Sequence, residues 1–264
     1  MKQLYIIKLG GSVITNKSQN KFEIFEDKIH QISSEIKKAK SQKQFSLIII
    51  HGVGPFGHEL VKQYNINNGV SSPLQFEGFQ KTHESVCNLN KNITQLLSKQ
   101  LPDIFPIMPL DIFTTDNKKI NSANLDQIIT ALNNNKIPIL FGDMVVDNSL
   151  TAAPLSGDTI ACYLAKHLNA KFLFFGTDVD GVLGNNNNNN NKIIPELTKN
   201  NISKHLNQIQ GSKHVDVTGG MKKKIDDITD YSAKYTTYIF NLNKPNNLYN
   251  NLIGKYNGTK VRLN

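Results

Sequence analysis

The stretch "FSLIIIHGVGPFGHEL", residues 45–60, joins a strand, a glycine-rich turn and the start of a helix. Leu47, Ile48, Ile49 and Ile50 are apolar without alternation, the pattern of a strand covered on both faces. Gly52, Gly54 and Gly57 follow directly, and a helix is expected from near His58. A strand covered on both faces needs helices above and below it, which places the chain among α/β proteins. In open sheets of that class, ligands sit beyond the carboxyl ends of the strands, where these glycines fall.

The same alternation extends in both directions. "QLYIIKL", "AKFLFFGT", "TTYIFN" and "GTKVRL" predict strands, and "IFPIMPL" and "KIPILFG" are shorter apolar runs. "EDKIHQISSEIKKAK", "FEGFQKTHESVCNLNKNITQLLSKQL", "SANLDQIITALNN", "GDTIACYLAKHL", "GGMKKKIDDITDYSAKY" and "NNLYNNLIG" predict helices. "MVVD" and "LTAAPL" predict a small hairpin. Together they imply an α/β sandwich with a mostly parallel central sheet. The run Asn185 to Asn191 is polar throughout and is expected to be a surface loop.

The formal charge of +9 invites a nucleic-acid reading. Arg262 is the only arginine, however, and arginine is the usual bidentate reader of bases. The excess lysine is better read as a solvated surface, so no nucleic-acid partner is expected. No apolar run reaches the roughly 18 residues needed to cross a bilayer. The opening "MKQLYIIKLGGS" enters a strand at once and has too short an apolar core for a signal peptide. Cys87 and Cys162 lie in helical patterns without metal spacing and read as buried thiols of a cytoplasmic protein.

A second glycine turn, "KLGGSVITNK", also ends a strand. Amides freed by such turns can cradle phosphate oxygens, and glycine lets them approach closely. Two such turns at strand ends suggest two phosphate-bearing ligands facing one crevice. Neither turn is a Walker-type or dinucleotide-binding loop. "SGD" (156–158), "GTDVDGVLG" (176–184) and "DVTGGMKKK" (216–224) each have an ordinary reading as a turn or helix start.

Their order is more specific than any of them alone. "KLGGS", the glycine loop after the second strand, "SGD", "TDVDGV" and "TGGMxxK" cover nearly the whole chain, which thereby resembles the amino acid kinase family. That resemblance implies a three-layer αβα sandwich and transfer of the ATP γ-phosphoryl to a carboxylate, carbamate or phosphate. "HGVGPFGH" is similar to the loop of the archaeal-type branch that converts isopentenyl phosphate to its diphosphate, as is "GFQKTHESVCNLN" to that branch's acceptor-side helix. Val53 and Pro55 depart from the branch pattern, which has glycine and serine there. Pro55 also removes a backbone donor.

The resemblance implies a role for each matching residue. Lys8 contacts the transferring phosphoryl, Lys17 stabilises the transition state, and Lys224 holds the ATP phosphates. Asp158 orients Lys8 and Lys224. Gly10, Gly11, Ser12, Gly54 and Gly220 give backbone contacts to phosphates, and Asp178 lies on the nucleotide side. Val53, His58 and Gly157 bind the acceptor phosphate. Residues 1–170 form the acceptor lobe and residues 171–264 the ATP lobe, on one continuous sheet. Mg²⁺ arrives with ATP, because no carboxylate cluster resembles a dedicated cage, and no residue is assigned as a metal ligand. Family members are commonly homodimers, so a homodimer is expected.

Several readings stay open at this stage. Phe79, His83 and Val86 share one helical face and either line an apolar acceptor pocket, with Phe76, or are ordinary core. His51 reads as structural. The alternatives for the whole chain are a fosfomycin kinase, an acyl-phosphate-forming kinase, or a nucleotide-binding regulator on the same fold.

Overall fold

Leu4–Leu9 form strand β1 in the middle of the main sheet of a computed structural model, which describes residues 2–16, 22–184, 192–205 and 220–263. Lys17 and the asparagine run lie outside the described residues, as does most of "DVTGG". On one side of β1 come β2 (Ser46–His51), β6 (Ile137–Phe141) and β3 (Ile104–Pro106). On the other come β9 (Phe172–Thr177), β13 (Thr236–Asn241), β14 (Thr259–Arg262) and β12 (Glu196–Thr198). Every neighbouring pair is parallel except β13 with β14.

Alternate residues of these strands feed two separate cores. Tyr5, Ile7, Leu9, Ile49, Phe141, Phe174 and Phe240 pack under α2 (Glu26–Gln42), α4 (Pro73–Ser98) and α8 (Asn247–Ile253). Ile6, Ile48, Ile50, Leu140, Phe175 and Ile239 pack under α6 (Gly157–His167) and α7 (Gly220–Asp230). Two cores on opposite faces of one sheet make the three-layer αβα sandwich that the family resemblance implies. Each fully buried aliphatic or aromatic side chain contributes about 1.5–3 kcal/mol relative to exposure. The helices carry matching signals. In α2, Ile29, Ile32, Ile36 and Ala39 recur at helical spacing on the buried side. Ser72 caps α4 by accepting from the Gln75 amide, Gln75 Oε1 reaches back to the Ser71 amide, and Pro73 opens the first turn.

The register aligns the carboxyl ends of the strands. Leu9 stands opposite His51 and Gly176, His51 opposite Phe141, and Gly176 opposite Phe240. The chain leaves β1 for β2 on one side and reaches β9 on the other, so the strand order switches direction at β1. A crevice opens at such a point.

Some expectations change. The helix of the opening stretch, α3 (Pro55–Gln63), begins at Pro55 and not near His58. "IFPIMPL" gives only three strand residues before a 3₁₀ turn at Pro109–Asp111. The expected hairpin forms as β7 (Asp143–Asp147) and β8 (Thr151–Leu155). It joins β4 (Phe113–Asp116) and β5 (Lys119–Ala123) in a second, four-stranded sheet. The buried Asp147 ties that sheet together, accepting from the amides of Asn117, Lys118, Ser149 and Leu150 and from Thr115 Oγ1. Short strands β10 (Leu183–Gly184) and β11 (Lys192–Ile193) pair with each other.

Candidate active site

Lys8 is the one charged residue in a central strand that is otherwise apolar, and it is buried. Strand alternation points it to the same face as Ile6, toward α6 and α7. An ammonium group there needs a partner. Asp158, in the first turn of α6, supplies one: its Oδ1 lies 2.7 Å from Lys8 Nζ. Its Oδ2 accepts from Lys224 Nζ at 2.5 Å, and Lys224 rises from the first turns of α7. Lys224 Nζ also lies 4.5 Å over the Phe175 ring. One carboxylate thus holds two ammonium groups at the carboxyl end of the sheet.

Electrostatics follow from this triad. Burial alone would raise the Asp158 pKa, but the charges of Lys224 and Lys8 and their hydrogen bonds reverse it and hold it well below the usual range. Burial lowers the Lys8 pKa against the charge of Asp158, and the nearby Lys224 adds to the lowering. A multiply charged anion at this spot would relieve the repulsion between the two lysines. Ser156 caps α6 by accepting from the Thr159 amide at 3.1 Å, which fixes the turn that carries Asp158.

The two glycine turns meet directly beside the triad. A Cβ added to Gly52 would lie 2.6 Å from the Gly11 amide nitrogen and 3.4 Å from Lys8 Nζ. A Cβ on Gly11 would lie 2.7 Å from the nitrogen of Gly54. The loops pack backbone to backbone, so only glycine fits at the seam. Gly54 also has φ +51°, and a Cβ there would strike Thr15. Gly10 donates to the Gly176 carbonyl at 2.8 Å, so its amide ties β1 to β9 and its share in a cradle is close approach. Gly11 and Ser12 open the short helix α1 (Gly11–Ile14), whose first amides have no helical carbonyl ahead of them. We expect Gly52→Ala to force the seam apart and to cut kcat/KM at least about tenfold while the circular dichroism spectrum stays native; an unchanged kcat/KM would contradict the seam.

The departures within the opening stretch fit locally. Pro55 is the first residue of α3, where an amide would have no helical acceptor, so its missing donor costs the helix nothing. Val53 avoids positive φ, and its side chain is buried beneath the loop against Gly57. His58 lies in the first turn of α3, its own amide donates to the Gly54 carbonyl, and its side chain is exposed. Gly157 opens α6 hard against β2: a Cβ there would lie 3.0 Å from the His51 carbonyl.

The remaining candidates separate. Asp178 is exposed just after β9, and its charge helps keep Lys8 protonated. Gly220 starts α7 and is exposed. Val86 is fully buried in the core under the loop. Phe79 packs at the margin of a small cluster with Met144 and stacks on His83. Phe76 is exposed. His83 Nδ1 lies 3.0 Å from both carboxylate oxygens of the buried Asp143, and its pKa is pushed up to about 10 chiefly by that hydrogen bond.

One supporting residue was not assigned to the site from sequence. His51 is fully buried; its Nδ1 lies 3.0 Å from the Gly52 carbonyl oxygen and its Nε2 3.1 Å from Asn90 Oδ1. Burial pushes its pKa down to about 4, so the ring is neutral, has one N–H to donate between these two contacts, and sits between the glycine loop and α4. The signal was its place between the apolar strand and Gly52.

Residues 3–241 match the model of the amino acid kinase family. The chain belongs to that family. Among curated amino acid kinases, it is 37% identical to the isopentenyl phosphate kinase of Methanocaldococcus jannaschii, over 98% of each chain. It is 30% identical to the isopentenyl phosphate kinase of Methanothermobacter thermautotrophicus, again over 98% of each. Among solved members, an isopentenyl phosphate kinase superposes with a TM-score of 0.82 at 26% identity, covering 98% of this chain and 99% of that one.

Proposed function

We propose that this amino acid kinase transfers the γ-phosphoryl of ATP to isopentenyl phosphate, giving isopentenyl diphosphate and ADP. The observation that carries the reading is the Lys8–Asp158–Lys224 triad set against two abutting glycine loops, one of which leads to His58. Similarity to isopentenyl phosphate kinases over the whole chain supports the choice of acceptor.

The chemistry needs positioning and neutralisation more than proton transfer. A phosphate monoester, with a second pKa of about 6, is largely dianionic at neutral pH and needs no general base. Lys8 neutralises the transferring phosphoryl, and Lys224 holds the ATP phosphates. Asp158 fixes both without itself touching the reacting atoms. The amides at Gly11, Ser12 and Gly54 border the phosphates, and Asp178 faces the nucleotide. Val53, Gly157 and the His58 side chain border the acceptor phosphate. Phe79 and His83 border its apolar tail, with Val86 behind them. Lys17 completes the set as a cation for the transition state.

Mg²⁺ prefers oxygen ligands, and among the described residues the one three-donor cluster contains sulfur and nitrogen. Mg²⁺ would accompany ATP and, when bound, would supply charge neutralisation at the phosphates beside Lys8 and Lys224. The proposal includes a cytoplasmic homodimer with an acceptor side in residues 1–170 and an ATP side in residues 171–264. Among the described residues no helix is long and apolar enough to cross a membrane.

Release of ADP from ATP with isopentenyl phosphate, fosfomycin, glutamate or UMP as acceptor tests the assignment. The expected result is a kcat/KM for isopentenyl phosphate at least about a hundredfold above the others, a difference of about 2.7 kcal/mol. Preference for fosfomycin would transfer the assignment to a phosphonate kinase. ATP binding without turnover of any acceptor would indicate a regulator.

A further inference from the structure

Away from the triad, four potential metal donors converge from three parts of the chain. His83 and Cys87 stand four residues apart on α4 and so share a face. Asp143 comes from the first residue of β7, and Met108 from the segment just before the 3₁₀ turn. Ligand atoms of His83, Cys87 and Asp143 all lie within 4.8 Å of one another. Cys87 Sγ is 3.7 Å from His83 Nδ1, 3.5 Å from its Nε2 and 3.9 Å from Met108 Sδ, and Nδ1 is 3.0 Å from each Asp143 oxygen. Ligands around a tetrahedral metal, with bonds of about 2.0–2.3 Å, stand about 3.3–3.8 Å apart. The Cys87–His83 and Cys87–Met108 separations are thus close to coordinating distance, while the 3.0 Å His83–Asp143 hydrogen bond would lengthen as the metal takes the place of its proton.

We propose that His83, Cys87, Asp143 and Met108 form a binding site for a thiophilic, four-coordinate cation of the Zn²⁺ class. The donor set selects the ion. A thiolate, a thioether and an imidazole favour soft or borderline metals and disfavour Mg²⁺. The carboxylate side chain of Asp143 is fully buried, and its charge offsets that of the cation. The His83 side chain is 28% exposed, which leaves a path of entry from solvent. Binding replaces the Cys87 thiol proton and the His83 Nδ1 proton, so both are released to solvent. The site is separate from the Mg²⁺ that accompanies ATP. Because His83 also borders the proposed acceptor tail, binding must be read directly and not through turnover.

The test is titration of the full-length protein with Cd²⁺, followed by its thiolate charge-transfer absorption, and with Zn²⁺ by calorimetry. The expected result is saturation at one equivalent. Cys87→Ser should abolish the absorption band, and Cys162→Ala, which alters the fully buried second thiol, should keep it. His83→Gln should weaken Zn²⁺ at least about tenfold. Circular dichroism checks that each variant is folded. Absence of a band in the native protein, or a band and Zn²⁺ affinity unchanged in both Cys87→Ser and His83→Gln, would overturn the site.

Discussion

Asp158→Asn is expected to lower kcat by roughly a hundred- to a thousandfold, the range seen when one preorganised electrostatic group is removed from an active site. The argument rests on geometry. Asp158 contacts Lys8 and Lys224 with separate oxygens, and all three side chains are nearly buried. An asparagine of the same shape keeps one acceptor oxygen but loses the charge. The two ammonium groups then repel each other without compensation, and burial already depresses the Lys8 pKa. Lys8 would lose its proton or swing away, and the phosphoryl would lose its nearest cation. Steady-state kinetics with saturating ATP and acceptor measure the effect, with circular dichroism to confirm the fold. A kcat within about threefold of the native value would contradict the role of the triad.

His58→Ala should act on one substrate only. His58 stands exposed in the first turn of α3, the helix that starts directly after Gly54, where that residue meets Gly11. A hydrogen bond to a charged phosphate oxygen contributes about 1.5–3 kcal/mol, which corresponds to roughly a ten- to hundredfold loss in kcat/KM for the acceptor. The Kd for ATP should stay within about twofold if His58 serves the acceptor, as proposed. His58→Gln restores a donor and should recover part of the loss. An equal loss in ATP binding would mean that His58 supports the loop as a whole.

Much of this was legible from the residues. Lys8 was legible through the family resemblance of "KLGGS"; its burial in a doubly covered strand, and the partner that this demands, emerge only from the fold. The continuous apolar runs gave the parallel sheet, and glycines at their ends gave the crevice. Other features were not legible, for physical reasons. The second sheet was missed because β5 is mostly exposed and has no apolar periodicity. Its organising residue, Asp147, acts through backbone amides that no local pattern reveals. Helix α3 starts earlier than expected because Gly54 supplies the cap without a side chain and Pro55 is favoured in the first turn. The helical pattern around Cys87 predicts a buried thiol, but Cys87 is only half-buried. Its four-residue spacing from His83 is visible in the sequence, but two spaced donors alone specify no site, and Asp143 and Met108 are too distant in sequence to complete the pattern. The seam between Gly11 and Gly52 is likewise a tertiary fact: each turn alone is an ordinary strand end.

Phosphorus NMR of the protein with ATP, Mg²⁺ and isopentenyl phosphate tests the central proposal most directly. The account predicts that the monoester resonance disappears while the two coupled resonances of a prenyl diphosphate and those of ADP grow together, one for one. Persistence of the isopentenyl phosphate resonance, with ATP intact or released only as ADP and inorganic phosphate, would contradict it.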